Sequence, residues 1–323
     1  MPIHTPVCDL LGITHPIGNA GMAGGTAGPA LAAAVAEAGG LGGLGGISRR
    51  GAEGLREDIR ATRALTSKPF SVNLWIHLLD AVPAFLDVCI EERVPSVTLT
   101  FGEPGDHARK AKDAGLLVLH QVQTVAGARA AAEAGVDAII AQGGEAGGHT
   151  GSVATMALVP QAVDAARGIP VLAAGGIADG RGLVAALALG AQGVVMGTRF
   201  VAAAEAEPPD RNHQRQIVEA SADDTIYTDV FDILDGLRWP AGIHGRTIAT
   251  AFAQEWHGRE QELVAQRETI RAESSTPNEA PERAHSAYAG QISGLVREVK
   301  PAAAIIADIM REAKDVLAHL SQV

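Results

Sequence analysis

The run AQGGEAGGHTG, residues Ala141 to Gly151, sets one imidazole, His149, among glycines and beside a carboxylate, Glu145. An imidazole on so open a backbone suits general acid–base work near neutral pH. Its place between Gly148 and Thr150, off any apolar helical face, favours a solvent-facing catalytic role over a packed one. Glu145 could orient that imidazole or cap the loop. Two further glycine turns, AAGGIADGRG (Ala173–Gly182) and VVMGTRF (Val194–Phe200), put Gly175, Gly176, Gly197 and Thr198 where backbone N–H groups can approach phosphate oxygens closely. Tight connections alone would also explain those glycines. Their order, late in the chain, favours a phosphate-bearing cofactor or substrate. Near the start, PIGNAGMAGGT offers Met22 as a soft surface for a flat ligand or as core filling, and Asn73 in KPFSVNLW can both donate to and accept from a heteroaromatic edge. Trp75 and His77 read as pocket wall.

These residues need a scaffold that gathers loop ends. From His15 onward short β-rich runs alternate with Ala-rich helical patterns through eight rounds. The strands are expected at Pro16–Ala20, Leu41–Leu44, Phe70–Leu74, Ser96–Thr100, Leu116–Leu119, Ala138–Ala141, Val171–Ala174 and Gly193–Met196. Several are nearly continuous apolar runs, as parallel strands covered on both faces should be. Helices such as Pro29–Ala38 and Val125–Ala134 close on an Ala-Gly pair. Eight βα rounds fit an α/β fold of the (β/α)8 TIM-barrel type, whose active sites lie at the C-terminal ends of the strands. Gly40, Gly42 and Gly45 satisfy GxGxxG, yet a helical pattern precedes them where a dinucleotide fold needs a strand. Beyond Arg199 the pattern changes, with a helical piece near Arg211–Ala220, a β-leaning Thr225–Phe231, helix from about Thr247, an exposed loop over Glu273–Glu282 and a last helical run over Gly290–Leu320. The barrel is assigned to residues 1–222, and residues 223–323 to a mainly helical C-terminal extension packed on it. That run is apolar enough to pack on the barrel or on a partner subunit, so a homo-oligomer is open.

Composition excludes several classes. A net charge of −11 disfavours nucleic acid. With only Cys8 and Cys89, and no Cys/His spacing suited to zinc, a structural metal and a disulfide framework are not expected. No Cys follows Cys89, which removes a thiol nucleophile from the later loops. The N-terminus lacks a signal-peptide pattern, and the most apolar stretch, Gly182–Gly197, is too broken to span a bilayer, so a cytoplasmic protein is expected.

Taken together, GNAGMAGGTAGPALAAAVAEAGGLGGLGG, KPFSVNLW, QGGEAGGHTG, IPVLAAGGIADGRG and GAQGVVMGTRF resemble the nitronate monooxygenase (2-nitropropane dioxygenase) family, which also contains FMN-dependent enoyl-ACP reductases and NADH:quinone reductases. The resemblance covers roughly Pro6 to Phe252. It implies a flavoprotein oxidoreductase holding FMN non-covalently, its phosphate on Gly175, Gly176, Gly197 and Thr198. It also implies that Ala20, Gly21 and Met22 line the isoalloxazine edge, that Asn73 contacts the ring, that Gln142 and Gly147 border it, and that His149 is the active-site histidine. Relatives often carry a Lys after the fifth strand, where this chain has His120-Gln121-Val122-Gln123, so Gln121 replaces a charge with a neutral amide. The implied reaction is oxidation of a nitronate or nitroalkane by O2 to a carbonyl compound and nitrite. The alternative is an NAD(P)H-dependent reductase acting on an enoyl thioester or quinone.

Overall fold

The computed structural model of the chain describes residues 3–48, 50–208, 212–274 and 287–322. Eleven strands occur among them: β1 Ile17–Asn19, β2 Gly42–Gly45, β3 Phe70–Trp75, β4 Ser96–Thr100, β5 Leu117–Val122, β6 Ala138–Gln142, β7 Gly148–Thr150, β8 Val171–Ala174, β9 Gly193–Met196, β10 Thr225–Thr228 and β11 His244–Ile248. Eight of them form one parallel sheet in the order β1-β9-β8-β6-β5-β4-β3-β2. A parallel bridge between Gly18 and Leu41 joins its two edges into a ring. The Asn19 amide reinforces that seam, donating to Gly43 O at 2.8 Å and accepting from Gly43 N–H at 2.7 Å. The result is the expected (β/α)8 barrel.

Alternation along each strand divides its side chains between two cores. Inside the barrel, Leu41, Leu119, Ala138, Ile140, Leu172, Ala174 and Val195 pack with Val7, Cys8 and Leu11 of the N-terminal helix Pro6–Leu11. Thr5 donates to the carbonyl of Gln192, just ahead of β9, which sets that helix against the N-terminal end of the barrel and leaves the other end as the mouth. Outside, residues such as Val72, Val97, Ile139 and Val194 meet the helical layer. The Ala-Gly phrases have a direct cause: after the helices Pro29–Glu37, Gly105–Asp113 and Val125–Glu133, the glycines Gly39, Gly115 and Gly135 take positive φ and turn the chain into the next strand.

The extension is mostly helical but also supplies sheet. β10 and β11 pair antiparallel, and β11 then pairs with β7 of the loop after β6, so that Gly245 lies opposite His149. Helix was expected from about Thr247; that residue instead lies within β11, and the next helix is Ala251–Trp256. The last helix begins at Ala302, after Pro301, with a 3-10 turn at Gln291–Leu295, so the run from Gly290 is not one helix. Ile305, Ile306, Ile309, Met310 and Ala313 face the helices Gly180–Ala188 and Pro29–Glu37, each buried aliphatic side chain contributing about 1.5–3 kcal/mol. Of the expected loop Glu273–Glu282, the first two residues end the helix Glu260–Ser274 and the rest lie outside the described residues. The helix near Arg211–Ala220 is described over Asn212–Glu219. Among the described residues no helix is long and apolar enough to cross a membrane.

Candidate active site

The mouth of the barrel holds a cleft lined by Ala20, Gln121, Gln142, Gly147, Gly175, Gly176, Gly197 and Thr198, among others. An adjoining hollow is lined by Asn19, Ala20, Gly21, Asn73 and Gln121, with the barrel residues Leu41, Ile140 and Val195. Ala20, Gln121 and Val195 line both, so the two spaces share a wall. Eleven of the residues singled out from sequence, Glu145 included, are therefore gathered here. Met22 packs against the core, though its sulfur lies 3.9 Å from where a side chain on Gly197 would begin.

At the cradle end, Gly175 and Gly176 have φ of +90° and +71°, a backbone that glycine adopts readily and that brings the chain close to the cleft without side chains in the way. Among the described residues, no backbone hydrogen bond uses the N–H of Gly176, Gly197 or Thr198. Three donors thus border one cleft without protein partners. Thr198 Oγ accepts from Gly290 N–H at 2.9 Å, which draws the segment after Ala287 across the cradle. That crossing is tight: a Cβ on Gly147 would lie 2.5 Å from Gly290 N.

The other end is a polar lattice. Gln121 and Gln123 both donate to Gln142 Oε1, at 3.0 and 2.9 Å, and Gln142 donates to the carbonyl of His149 at 3.2 Å. Glu145 does not touch His149. Its carboxylate accepts from Thr155 N–H at 2.8 and 3.0 Å and from Thr155 Oγ at 2.9 Å, capping the helix Thr155–Ala165. Asn73 donates to Gly21 O at 2.7 Å and fixes the turn after β1.

The solvent-facing position expected for His149 is corrected: its side chain is only 10% exposed and lines neither cavity. Pairing of β7 with β11 brings the C-terminal extension over it. Nε2 lies 2.9 and 3.0 Å from the two carboxylate oxygens of Asp232, whose side chain is 6% exposed. An ionised carboxylate can only accept, so Nε2 carries the proton and Nδ1 is left as the acceptor of the neutral ring. Trp239 donates its indole N–H to Asp232 Oδ1 at 2.9 Å and stacks on the imidazole, ring centres 3.6 Å apart and planes 20° from parallel. Phe101, Trp75 and His77, at the ends of β4 and β3, pack edge-to-face around that indole, with ring centres 4.9, 5.0 and 5.1 Å away. Phe101 is held at φ +60°, an uncommon state for a non-glycine residue, which aims its ring into this cluster. Burial keeps the His77 imidazole below its usual pKa, and its Nδ1 is buried without a partner among the described residues.

Sequence reasoning missed Asp232, Trp239 and Phe101. The Val230–Asp235 segment carries no local catalytic pattern, and only the β7–β11 pairing reveals that it faces His149.

Comparison with known proteins fits this arrangement. The family model for nitronate monooxygenase matches residues 4–88 and 75–312, and the chain belongs to that family. It is an oxidoreductase. A nitronate monooxygenase of Paraburkholderia phytofirmans is 36% identical over 84% of this chain and 85% of its own length. A (3aS,4S,5R,7aS)-5-hydroxy-7a-methyl-1-oxo-octahydro-1H-indene-4-carboxyl-CoA dehydrogenase of Mycobacterium tuberculosis is 42% identical over 72% of this chain, and the match spans 65% of that relative's length. FabK from Thermotoga maritima superposes with a TM-score of 0.87, at 40% identity and 99% coverage of both chains.

Proposed function

We propose that the protein binds FMN in the shared cleft and oxidises alkyl nitronates or nitroalkanes with O2, giving carbonyl compounds and nitrite. The observation that carries this reading is the set of N–H groups on Gly176, Gly197 and Thr198, without partners among the described residues, in a cleft whose lining includes Gln142, the side chain that holds the backbone of His149. A phosphate fits three free backbone donors where glycines leave no side chain in the way. From there the mononucleotide would run past Gly147 and Gln142, with its ring edge along Ala20, Gly21 and Met22 and against Asn73 and Gln121.

Bound FMN would supply the electron transfer, and the chain's own residues manage binding and protons. Asp232 holds Nε2 protonated and so leaves Nδ1 of His149 as the atom to take the α-proton of a neutral nitroalkane. When both nitrogens carry protons, the same ring donates to nitro oxygens. Phe101 and Trp239 pack against the imidazole and keep it out of bulk water, which strengthens each of these contacts. Gln121 and Gln142 offer neutral amides where a lysine would have offered charge, so the site gives little compensation to an anionic ring.

A second reading is favoured by the full-length likeness to FabK and the likeness to a carboxyl-CoA dehydrogenase. There NAD(P)H would be the hydride donor and an enoyl thioester or quinone the acceptor. Anaerobic mixing separates the two. Flavin bleaching by propyl nitronate but not by NADH supports the oxygenase, and rapid bleaching by NADH supports the reductase.

A further inference from the structure

Trp239 lies against the imidazole that, on the proposed reading, a substrate must meet. Its indole covers one imidazole face at 3.6 Å, and its N–H is bound to the carboxylate that holds the imidazole. The backbone that carries it is lightly held. The turn from 236 to 243 lies outside any helix or strand and has glycines of positive φ near both ends, Gly236 at +72° and Gly242 at +80°. Leu237, two residues before the indole, is 52% exposed, and the turn's backbone bonds are to itself or to the preceding helix: Leu237 N–H to Asp232 O and Ile243 N–H to Pro240 O. A large, half-buried ring on an exposed, glycine-flanked turn is held by its ring contacts and one side-chain hydrogen bond.

We propose that Trp239 is the specificity-determining residue of this site, admitting small, slender substrates beside the indole and rejecting bulky ones that would have to displace it. The inference rests on His149 being the group that substrate meets. Short alkyl nitronates are the class it selects, because a planar nitro group with a short chain needs little width. A branched or cyclic nitronate, or an acyl thioester, would have to push the ring off the imidazole.

The test compares FMN-loaded wild type with Trp239→Ala on ethyl and cyclohexyl nitronates, and maps carbethoxylation of His149 by diethyl pyrocarbonate with mass spectrometry. Leu237→Ala, on the exposed side of the same turn, is the control, and Trp239→Leu stands in if the alanine variant does not fold. We expect the cyclohexyl-to-ethyl ratio of kcat/KM to rise by at least roughly tenfold, the scale on which apolar pockets discriminate size. His149 should also be modified several-fold faster. A ratio within about twofold of wild type, with measurable turnover, overturns the proposal. If no nitronate is turned over by any form, the oxygenase reading fails, and carbethoxylation decides for the indole: faster modification supports its covering role and an unchanged rate removes it.

Discussion

The Nε2 atom of His149 lies 2.9 Å from Oδ1 and 3.0 Å from Oδ2 of Asp232, a residue 83 positions later in the chain. The barrel presents the imidazole and the extension supplies its partner. Neither part alone makes the pair.

Asp232→Asn keeps size and a hydrogen-bonding oxygen but removes the charge. A positioned acid–base group contributes on the order of 10²–10⁴-fold, and kcat should fall by roughly 10²-fold in this variant. FMN binding should persist, because Asp232 lies outside the cleft lining. Steady-state rates and flavin content, measured on one preparation, check both statements.

Gly176→Ala tests the cradle. A Cβ there meets nothing closer than the Glu145 side chain at 3.6 Å, so space is not the obstacle. The obstacle is φ of +71°, which costs an L side chain about 1–2 kcal/mol and turns the N–H away if the backbone relaxes. FMN affinity should drop by about tenfold, read by quenching of flavin fluorescence.

How far the sequence revealed this arrangement depends on the range of the interactions. Barrel strands such as Val171–Ala174 and Gly193–Met196 are legible because they are buried throughout and preceded by helix-ending glycines. β7 and β11 are not. β7 is three residues inside a glycine loop, and His-Gly-Arg-Thr-Ile of β11 shows no apolar alternation; β7 is a strand because it pairs with β11, and β11 because it lies between β10 and β7. The cradle residues could be found for the same local reason, since glycine requirements are written residue by residue. Asp232 and Trp239 reach His149 through tertiary pairing, and no spacing in the chain encodes that.

Gly290→Ala probes the crossing of the C-terminal segment over the cradle. A Cβ at this position would lie 2.6 Å from Glu145 O and 2.8 Å from Gly147 N, both backbone atoms. Overpacking against rigid backbone costs about 1–3 kcal/mol. The variant should lose that much stability to denaturant and, with the Gly290 N–H bond to Thr198 strained, bind FMN more weakly than wild type.

His120 makes the fold acid-sensitive. Burial on β5 pushes its pKa down to about 4, against the 6.5 of an exposed imidazole, even though Nδ1 meets Leu99 O at 3.0 Å. The unfolded chain therefore takes up a proton as pH falls through 6.5, while the folded chain does so only near 4. Stability is full above pH 6.5, is lost across that window and levels off below it. The loss from this one group is roughly 2–3 kcal/mol by pH 4.5, and His120→Gln should flatten that part of the profile in urea unfolding.

The most direct measurement is titration of FMN into the cofactor-free protein, followed by quenching of flavin fluorescence. Saturable binding of one FMN per chain, weakened by Gly176→Ala and retained by Asp232→Asn, is the predicted result. Flavin fluorescence that stays unquenched in the wild-type protein would contradict the account.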